Sequence, residues 1–570
     1  MRDFWTAAAA LAATGIAALG AVARDRQCRE RGDQPVGPSH PDRGRTVFWP
    51  PGLPSISTIS KQLMKCLIRQ RAGWDAGCIS GASTALPRPP GPLERTALRL
   101  IDSGVTRAAS WGLLPSQAAL FQANYLSHRM SSMTKHPRFV TLSKYPPYRS
   151  GHAKQALWNN TALATLTGAE QHQVTYCGVS SDPEDDAGAG VQVHHVKEVR
   201  GNRRVPDGHL LRAVAAELFT VALANDIDVI NTYYIDPHAT VANRVADALA
   251  LLGRRPIIIH SIEGSDVLES VCEHLADGSA GPLFGDVMRA DVLCTVSHYT
   301  ARRFLAGAEV VGGARLADTL AESIVLRYPG LPPAAFAQPD TEQLREFRQR
   351  AGLRQDSVLV STLGRLEEEK GLDTLVAIAE LALATRPELE FVIAGTGSLG
   401  DQLAERARTV ANLTVLRNIS SHDAQCLRAT SEVGVFPTRV IPGFIETFCV
   451  AALEYEALGV PVLASAIGGV PEATPDDRFL VAPGRTAIEW LARIDEVLTN
   501  RAERSAVAAA YAGRFTSARS AQRLIDLADL AADRLNRQVP LKADPFDDYL
   551  LTWPARLPLH ADAAAEPASM

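Results

Sequence analysis

The sequence predicts an α/β protein built from two successive Rossmann-like domains. Short apolar runs such as 138–143 and 228–234 alternate with amphipathic segments of helical length, for example 209–224. The same alternation starts again near residue 357 and continues through a second series of apolar runs. Apolar runs that alternate with helices are typical of a parallel sheet whose faces are covered by helices.

Composition places the chain among ordinary globular proteins. Of its 570 residues, 46% are hydrophobic and 21% are charged, which excludes a mostly disordered or fibrous chain. The formal net charge of -5 gives no support to nucleic-acid binding. Only eight of the 58 basic residues are lysines, and this arginine bias indicates a GC-rich bacterial coding sequence. The eight cysteines form no C-x-x-C pair, which favours free thiols in a reducing compartment.

Residues 1–137 differ from the rest of the chain and are interpreted as an N-terminal extension. Residues 4–23 are apolar and are followed by Arg24 and Arg26, so the segment is long enough to span a bilayer. It also ends in Ala21-Val22-Ala23, which resembles a signal-peptidase site. Half of the segment is alanine, so its insertion into a bilayer is only weakly favourable. We expect a cytoplasmic protein, with attachment to the inner face of the membrane through residues 4–23 as an option.

Changes of pattern set the remaining boundaries. The first Rossmann-like domain is expected over 138–333 and the second over 334–515. A further helix is expected over 516–535. Residues 536–570 contain many prolines and alanines and are expected to form a flexible tail.

The strongest chemical motif is the loop Gly364–Gly371, in which Arg365 and Lys370 flank three acidic residues. It follows a strand expected to end at Leu363 and leads into a predicted helix. Ligands of open α/β sheets bind at such strand-to-helix loops, and a helix N-terminus attracts anions. Two cations beside a helix N-terminus suit a diphosphate group. Solvated surface charge, balanced by the three acidic residues, is the alternative.

A second motif holds two carboxylates, Glu446 and Glu454, in a segment predicted to be an amphipathic helix over 446–458. Eight residues are just over two helical turns, so both carboxylates are expected on roughly one face of that helix. Glu446 is expected near the helix N-terminus, where a carboxylate is favoured. One carboxylate could accept hydrogen bonds from sugar hydroxyls and the other from ribose hydroxyls. A first-turn acid and an ordinary helix charge are the alternative.

Nine ordered sequence blocks between residues 138 and 535 resemble retaining glycosyltransferases of the GT-B fold, in family 4 (group 1). They include SKYPPYRSG at 143–151, GRLEEEKGLDTL at 364–375 and ETFCVAALEYEALGVPVLAS at 446–465. The resemblance implies two Rossmann-like domains whose parallel sheets face an interdomain cleft. It further implies that the first domain binds the acceptor, the second binds the nucleotide-sugar donor, and helix 516–535 crosses back to the first domain.

The resemblance also implies roles for individual residues. Arg365 and Lys370 would hold the donor diphosphate, while Glu446 would contact the transferred sugar and Glu454 the nucleotide ribose. The remaining donor-binding residues implied by the resemblance come from the glycine loops, the predicted base site and the segment after Glu446: Gly151, Gly364, Ile419, Thr447, Phe448 and Cys449.

Two positions depart from the family pattern. Cys449 stands where the family usually has glycine, and its side chain is expected to restrict the backbone and narrow the sugar site. Glu263 stands where many relatives have a histidine that contacts the donor sugar near the reaction centre. Glu263 could accept a hydroxyl group, but it cannot donate as a neutral imidazole does. The candidate catalytic residues are therefore Arg365, Lys370, Glu446 and Glu263.

Two further patterns are discounted. Residues 395–400 form a literal G-x-G-x-x-G, but the next strand ends at 416–418 without the acid that a dinucleotide site needs. His194, His195 and the acidic run 182–186 are expected in or beside a loop and lack metal-ligand spacing, so they are interpreted as solvated surface and no metal site is expected.

The expected function is transfer of a sugar from a UDP- or GDP-linked donor to an acceptor hydroxyl, with retention of configuration and without a metal or other cofactor. The expected partners are the nucleotide sugar and a carbohydrate, glycoside or natural-product acceptor. Two alternatives stay open. The first, suggested by Cys449 and Glu263, is a catalytically impaired protein that binds nucleotide sugars or a protein partner. The second is a GT-B epimerase or phosphorylase.

Overall fold

The computed structural model of the protein describes residues 137–145, 151–176, 188–196, 208–264 and 266–537. The described residues form two parallel sheets covered by helices, so the predicted α/β class with two Rossmann-like domains is confirmed. Almost all of the predicted extension, including its apolar segment 4–23, and the predicted tail lie outside the described residues.

The first domain is built on seven parallel strands in the order β3-β2-β1-β4-β5-β6-β7. These strands are β1 Phe139–Leu142, β2 Gln171–Thr175, β3 Val191–His195, β4 Val229–Tyr233, β5 Ile257–Ile262, β6 Val292–Thr295 and β7 Ile324–Leu326. Its helices are α1 Gly151–Thr167, α2 Gly208–Ala224, α3 His238–Leu251, α4 Val271–Asp277, α5 Ala280–Val287 and α6 His298–Ala321. A π-helical turn over Asp266–Ser270 leads into α4.

The second domain is built on six parallel strands in the order β10-β9-β8-β11-β12-β13. These strands are β8 Val358–Arg365, β9 Leu389–Thr396, β10 Leu413–Arg417, β11 Val433–Phe436, β12 Val462–Ser465 and β13 Leu480–Val481. Its helices are α7 Thr341–Arg350, α8 Leu372–Thr385, α9 Gly400–Ala407, α10 Ser421–Thr430, α11 Val450–Glu456, α12 Ala487–Thr499 and α13 Arg501–Ala512. The helix α14 Ser517–Arg537 follows.

Burial and helix capping explain why the apolar runs and the intervening segments form these elements. Every residue of β1, β4 and β5 is buried, as expected for parallel strands that have helices on both faces. Asp340 and Gln343 form a capping box that begins α7, and Thr486 and Glu489 form one that begins α12. Such caps satisfy amides that lack partners at a helix start, and they fix where each loop gives way to a helix.

The helix α14 leaves the second domain and packs on the first. Leu524 and Leu527 are fully buried in one cluster with Phe139 of β1 and Leu163 of α1. Complete burial of each leucine stabilises this contact by roughly 1.5–3 kcal/mol. An aromatic group of Tyr328, Phe448 and Phe515 adds a second apolar contact near the start of α14, with ring centroids 5.5 to 6.0 Å apart.

A buried carboxylate ties the second domain to the start of α6 in the first. The two oxygens of Glu472 accept hydrogen bonds from the backbone amides of His298 and Tyr299, at 2.8 and 2.9 Å. The Tyr328 hydroxyl donates to the same carboxylate at 3.0 Å. A carboxylate at a helix N-terminus is favoured by the free amides and by the helix dipole. Glu472 therefore joins the domains through a fully satisfied charged group.

The helix predicted from Glu446 begins four residues later than expected, at Val450. Residues 446–449 instead run as a loop, because their backbone is held against the turn at Gly468 and Gly469. The Gly469 amide donates to the Glu446 carbonyl at 2.8 Å, and a Cβ at Gly469 would lie 1.8 Å from the Thr447 carbonyl oxygen. The prediction that both carboxylates share one helix face was therefore wrong.

His194 and His195, predicted to lie in or beside a loop, form the end of the edge strand β3. The strand pairs with β2 in parallel register, with His194 opposite Val174 and His195 opposite Thr175. The acidic run 182–186 lies outside the described residues. No helix among the residues described has the length and apolar character needed to span a membrane.

Candidate functional site

Both sheets have a point where the strand order reverses, and several of the predicted site residues follow strands at these two points. The reversal lies between β1 and β4 in the first sheet and between β8 and β11 in the second. Ligands of open α/β sheets bind outside the carboxyl ends of the strands at such points. Gly151 follows β1, Lys370 follows β8, and Glu446 follows β11.

Lys370 and Glu446 are brought into direct contact at this edge of the second sheet. The Lys370 ammonium donates a hydrogen bond to Glu446 Oε2, and the two side chains are only 21% and 15% exposed. Lys370 ends a short 3-10 turn, and α8 begins two residues later, after Gly371 in the left-handed conformation. The arrangement therefore places an ammonium and a carboxylate together beside the N-terminus of a helix.

Arg365 is the last residue of β8, two residues beyond the strand end expected at Leu363, and it is more exposed than Lys370. Its guanidinium contacts the Glu369 carboxylate at 2.5 Å, and its side chain is 53% exposed. The ring of Phe444 lies beside both cations, 5.8 Å from the Arg365 guanidinium carbon and 5.2 Å from Lys370 Nζ. At these distances the ring face attracts each cation, and Phe444 helps to hold the pair in the loop.

Glu454 lies on α11, away from Glu446, and has its own cationic partners. Arg428 of α10 donates to Glu454 Oε2 at 2.7 Å, and both side chains are largely buried. Lys154, from the first turns of α1 in the first domain, has its ammonium 4.0 Å from Glu454 Oε1. This contact between a first-domain lysine and a second-domain glutamate shows that α1 faces the second domain across a cleft.

The loops that follow β5 and β11 also meet across the cleft. A Cβ placed on Gly264 would lie 2.3 Å from Thr447 Oγ1, so the Gly264 backbone packs directly on the Thr447 side chain. Phe448, the residue after Thr447, packs its ring against those of Tyr328 and Phe515. The side chain of Phe448 is therefore part of the core between the domains, and only its backbone is available to a ligand.

Cys449 is accommodated without backbone strain. Its φ is -89°, a value that any L-residue adopts, so a glycine is not required at this position. The thiol is buried, and burial together with the nearby Glu446 carboxylate raises its pKa to about 12. Cys449 therefore stays a protonated thiol at neutral pH and is a poor nucleophile.

Glu263 follows β5 directly and is buried at the floor of the cleft. Burial raises the pKa of its carboxyl to about 7, although the Arg327 guanidinium, 3.6 Å from Oε1, opposes the shift. Its amide donates to Asp266 Oδ2 at 2.6 Å, and Asp266 Oδ1 accepts from the Ile235 amide at 2.9 Å. Asp266 thereby ties the loop after β5 to the loop after β4 and fixes where Glu263 lies.

His152, the second residue of α1, lies beside Glu263. Its Nε2 is 3.6 Å from Glu263 Oε2, and its Nδ1 is 2.5 Å from the Tyr234 hydroxyl. Burial, together with the charges of Lys144 and Arg365, lowers the pKa of His152 to about 4. His152 is therefore a neutral imidazole at physiological pH.

The glycines of the predicted site differ in what the fold asks of them. A Cβ at Gly151 or Gly364 would meet nothing within 4 Å, so packing does not require glycine at either position. Open space beside the backbone is what a closely approaching ligand needs. Ile419, the residue expected near the nucleobase, follows β10 and is partly buried against the core of the second domain.

The G-x-G-x-x-G at 395–400 has a structural explanation. A Cβ at Gly395 would lie 1.8 Å from the Gly364 carbonyl oxygen, and one at Gly397 would lie 2.4 Å from the Leu366 carbonyl oxygen. Gly395 lets β9 approach its partner strand β8 closely, and Gly397 lets the loop after β9 pack on the loop after β8. Within the described ranges, no group of three or more His, Cys, Asp or Glu side chains is arranged to hold a metal ion.

Sequence reasoning missed several residues that the structure places at the cleft. The sequence could have indicated His152 and Lys154, because both lie in the first turn of the helix that begins at Gly151 and follows β1. Phe444 and Arg428 gave no signal, since their contacts with Lys370 and Glu454 depend on how separate elements pack. The missed residues thus supply partners for the charges that the sequence did indicate.

A family model described as "Glycosyl transferases group 1" matches residues 344–515. The D-inositol 3-phosphate glycosyltransferase of Stackebrandtia nassauensis is 30% identical over 221 residues, which are 36% of this chain and 48% of that protein. This chain thus spans about half the length of the first curated relatives that it matches.

Two longer matches cover both domains. A D-inositol 3-phosphate glycosyltransferase of Geodermatophilus obscurus is 25% identical over 421 residues, or 64% of this chain and 91% of that protein. The catalytic domain of starch synthase IV from Arabidopsis thaliana, bound to ADP and acarbose, is 13% identical with a TM-score of 0.55. That alignment covers 70% of this chain and all of the solved chain, and it shows a shared fold.

Proposed function

We propose, from the premise that this chain is a group 1 glycosyltransferase of the GT-B fold, that it transfers a sugar from a nucleotide-diphosphate sugar to a hydroxyl group of an acceptor. The observation that carries the proposal is the meeting of Arg365, Lys370 and Glu446 at the carboxyl edge of the second sheet, beside the start of α8. Lys154 and Glu454 bring the start of α1 to the same cleft.

The chemical problem in such a transfer is the negative charge that develops on the departing diphosphate. Arg365 and Lys370 would supply two positive charges, and the N-termini of α8 and α1 would add free amides and partial positive charge. Charges held in place before the reaction stabilise the transition state without further reorganisation. This set of groups supports a mechanism in which the protein itself, rather than a metal ion, balances the leaving charge.

Binding of the donor would exchange the partners of these cations. The diphosphate would take the place of Glu446 beside Lys370 and of Glu369 beside Arg365. Glu446 would then be able to accept hydrogen bonds from hydroxyls of the transferred sugar. Glu454, already oriented by Arg428, would accept from the ribose hydroxyls, and Lys154 would move with the ligand.

Retention of configuration follows if attack and departure occur on one face of the sugar. The acceptor oxygen would form its bond to the anomeric carbon while the bond from that carbon to the phosphate oxygen breaks. The electron pair of the broken bond would go to the diphosphate, and the acceptor proton would pass to a phosphate oxygen. No protein nucleophile takes part, which agrees with the protonated state of Cys449.

The experiment is a screen of UDP- and GDP-linked sugars with the full chain and a panel of sugar and polyol acceptors. D-inositol 3-phosphate belongs in the panel because both curated relatives described above are named for it. Product masses identify the transferred sugar, and nuclear magnetic resonance gives the configuration of the new bond. We expect Lys370→Ala and Glu446→Ala to reduce transfer at least a hundredfold. Full transfer by both variants would overturn the site, and failure of every nucleotide sugar to bind would favour the partner-protein alternative.

A further inference from the structure

Tyr234 has an unusual backbone conformation that serves a contact with His152. Its φ is 75°, in the left-handed region, which is unfavourable for an aromatic residue. The Tyr234 amide donates to the Ser261 carbonyl at 3.1 Å, which anchors this conformation to the end of β5. The side chain then places its hydroxyl 2.5 Å from His152 Nδ1, with the two ring centroids 4.6 Å apart. The strained residue thus holds the imidazole from one side.

The two polar neighbours of the His152 ring, the Tyr234 hydroxyl and the Glu263 carboxyl, together favour a proton on Nε2. A neutral imidazole has one N–H group and one acceptor nitrogen. When the Tyr234 hydroxyl donates to Nδ1, the proton lies on Nε2. The Nε2 side of the ring faces the Glu263 carboxyl, an acceptor, which favours the same tautomer. His152 therefore directs an N–H group toward Glu263.

The gap between His152 and Glu263 fits one more polar atom. Nε2 and Oε2 are 3.6 Å apart, which is too long for a direct hydrogen bond. An oxygen atom at a hydrogen-bond distance of about 2.8 Å from each of them can be placed without a clash between the three. Glu263 Oε1, on the side of Arg327, has no hydrogen-bond partner among the described residues, so the protein leaves part of the hydrogen-bonding capacity of this carboxyl group unused. The His152 side chain is 28% exposed, so the pair is open to a ligand.

The pair lies in the cleft described above. The loop that carries Glu263 continues to Gly264, whose backbone packs on Thr447 next to Glu446. The charge of Arg365 is close enough to act on the His152 ring. A ligand whose phosphates lie at Arg365 and Lys370 would therefore have its sugar within the same space as His152 and Glu263.

We propose that His152 determines sugar specificity by binding, together with Glu263, one hydroxyl group of a sugar or polyol in the cleft. The His152 Nε2–H donates a hydrogen bond to the hydroxyl oxygen, and the Glu263 carboxyl accepts a hydrogen bond from the hydroxyl group. Tyr234 is the positioning residue that fixes the tautomer. A hydroxyl matches this site because it accepts and donates at one atom, whereas a phosphate has no proton to offer and is repelled by Glu263.

The proposal rests on the proposed transferase function and deepens it, and the experiment separates the two. Three variants of the full chain are compared: His152→Gln, His152→Asn and His152→Ala. The glutamine amide nitrogen reaches the position of Nε2, whereas the asparagine amide reaches only that of Nδ1. We expect transfer to fall at least tenfold in His152→Asn and His152→Ala, and to stay within about threefold of the unchanged chain in His152→Gln. Tenfold corresponds to about 1.4 kcal/mol, the size of a hydrogen bond.

Calorimetric titration identifies the source of the hydroxyl. UDP and GDP are titrated beside UDP-glucose and GDP-mannose. If the donor sugar supplies the hydroxyl, His152→Asn weakens binding of the nucleotide sugar and leaves binding of the nucleotide unchanged. If the acceptor supplies it, both affinities stay unchanged, the KM for the acceptor rises, and hydrolysis of the donor in the absence of acceptor is preserved.

The positioning role of Tyr234 has its own readout. Tyr234→Phe is expected to lower transfer in the unchanged chain but not in the His152→Gln background, because an amide needs no partner to fix its tautomer. Equal transfer by the Gln and Asn variants, or full transfer by all three His152 variants, would overturn the hydroxyl site. Absence of both transfer and nucleotide-sugar binding in the unchanged chain would overturn the proposed function instead.

Discussion

Lys370 and Glu446, 76 residues apart in sequence, form a direct ion pair at the carboxyl edge of the second sheet. One follows β8 and the other follows β11, the two strands that flank the point where the strand order reverses. Both side chains are more than three-quarters buried. Each charged group therefore stabilises the other in its partly buried position. A change to either residue is expected to affect both the stability of the protein and the chemistry of the site.

Removal of one member of the pair leaves the other charge partly buried without its partner. We expect Lys370→Met and Glu446→Gln each to lower the free energy of unfolding by about 1–3 kcal/mol. The double variant should lose less than the sum, with a coupling of about 1 kcal/mol or more. Urea denaturation of the four proteins measures this cycle. Strictly additive losses would contradict a direct interaction.

Activity at low pH tests the role of Glu263. Because its pKa is raised to about 7, the carboxylate form that accepts a hydroxyl proton increases as pH rises from 6 to 8. We expect transfer to rise about tenfold over this range. Glu263→Gln should transfer more slowly and lose this dependence. A pH profile that is the same in both proteins would contradict the role.

The groups around Glu263 determine how this profile is interpreted. Arg327 lies opposite Oε1 and His152 beside Oε2, while the charge of Glu263 also acts on Asp266, Tyr233 and the Cys294 thiol. Burial raises the pKa of Asp266 well above its usual value, so this residue is the competing source of a neutral-pH transition. Asp266→Asn serves as the control. Loss of the pH dependence in Asp266→Asn alone would assign the transition to Asp266.

Glu456 gives a prediction about stability that does not involve the cleft. Its side chain is fully buried, and neither carboxylate oxygen has a hydrogen-bond partner among the described residues. Burial, reinforced by Asp476, raises the pKa of this carboxyl well above its usual value. The folded state therefore keeps a proton that the unfolded state releases, so this contribution to stability is present at low pH and is lost as pH rises.

Glu456→Gln removes that proton release from the unfolded state. We expect the variant to gain stability over the unchanged chain between pH 5 and 8, by up to about 1.4 kcal/mol per pH unit. Urea denaturation at both pH values measures the difference, and Glu405→Gln on the exposed surface of α9 is the matched control. A difference that is constant with pH would contradict the assignment of a protonated Glu456.

Glu472 joins the domains, and its loss is expected to change how they close. Glu472→Ala removes the acceptor for the His298 and Tyr299 amides and for the Tyr328 hydroxyl. We expect a loss of about 1–3 kcal/mol in unfolding free energy and a larger radius of gyration by X-ray scattering. Transfer should fall while the affinity for nucleotide alone is kept. A variant that matches Glu503→Gln, an exposed control, in scattering and transfer would refute this role.

The sequence was sufficient for the fold class because its signals are local. Apolar runs that alternate with helical segments indicate a parallel sheet wherever they occur, and the reversal of strand order places Gly151, Lys370 and Glu446 at ligand-binding edges. The position of Arg365 and Lys370 beside a helix N-terminus could be predicted because α8 directly follows these residues in the chain. Their direct partners, Phe444 and Glu446, come from other elements.

The failures of sequence reasoning have a common physical origin. The spacing of Glu446 and Glu454 fits a helix, but the turn at Gly468 and Gly469 holds the backbone of 446–449 in a loop, and no periodicity in that segment reports it. The contacts of His152 could not be predicted for a similar reason, since its partners Tyr234 and Glu263 follow other strands. Contacts between elements distant in sequence decide both cases.

The measurement that most directly tests the central claim is product formation by the full chain and by Lys370→Ala. Both are incubated with UDP- and GDP-linked sugars and the acceptor panel, and products are detected by mass spectrometry. Arg408→Ala is the matched control, because Arg408 is an exposed cation at the end of α9, on the opposite edge of the second sheet. We predict a glycosylated product from the unchanged chain and from Arg408→Ala, and at least a hundredfold less from Lys370→Ala. Equal product from all three proteins would contradict the account.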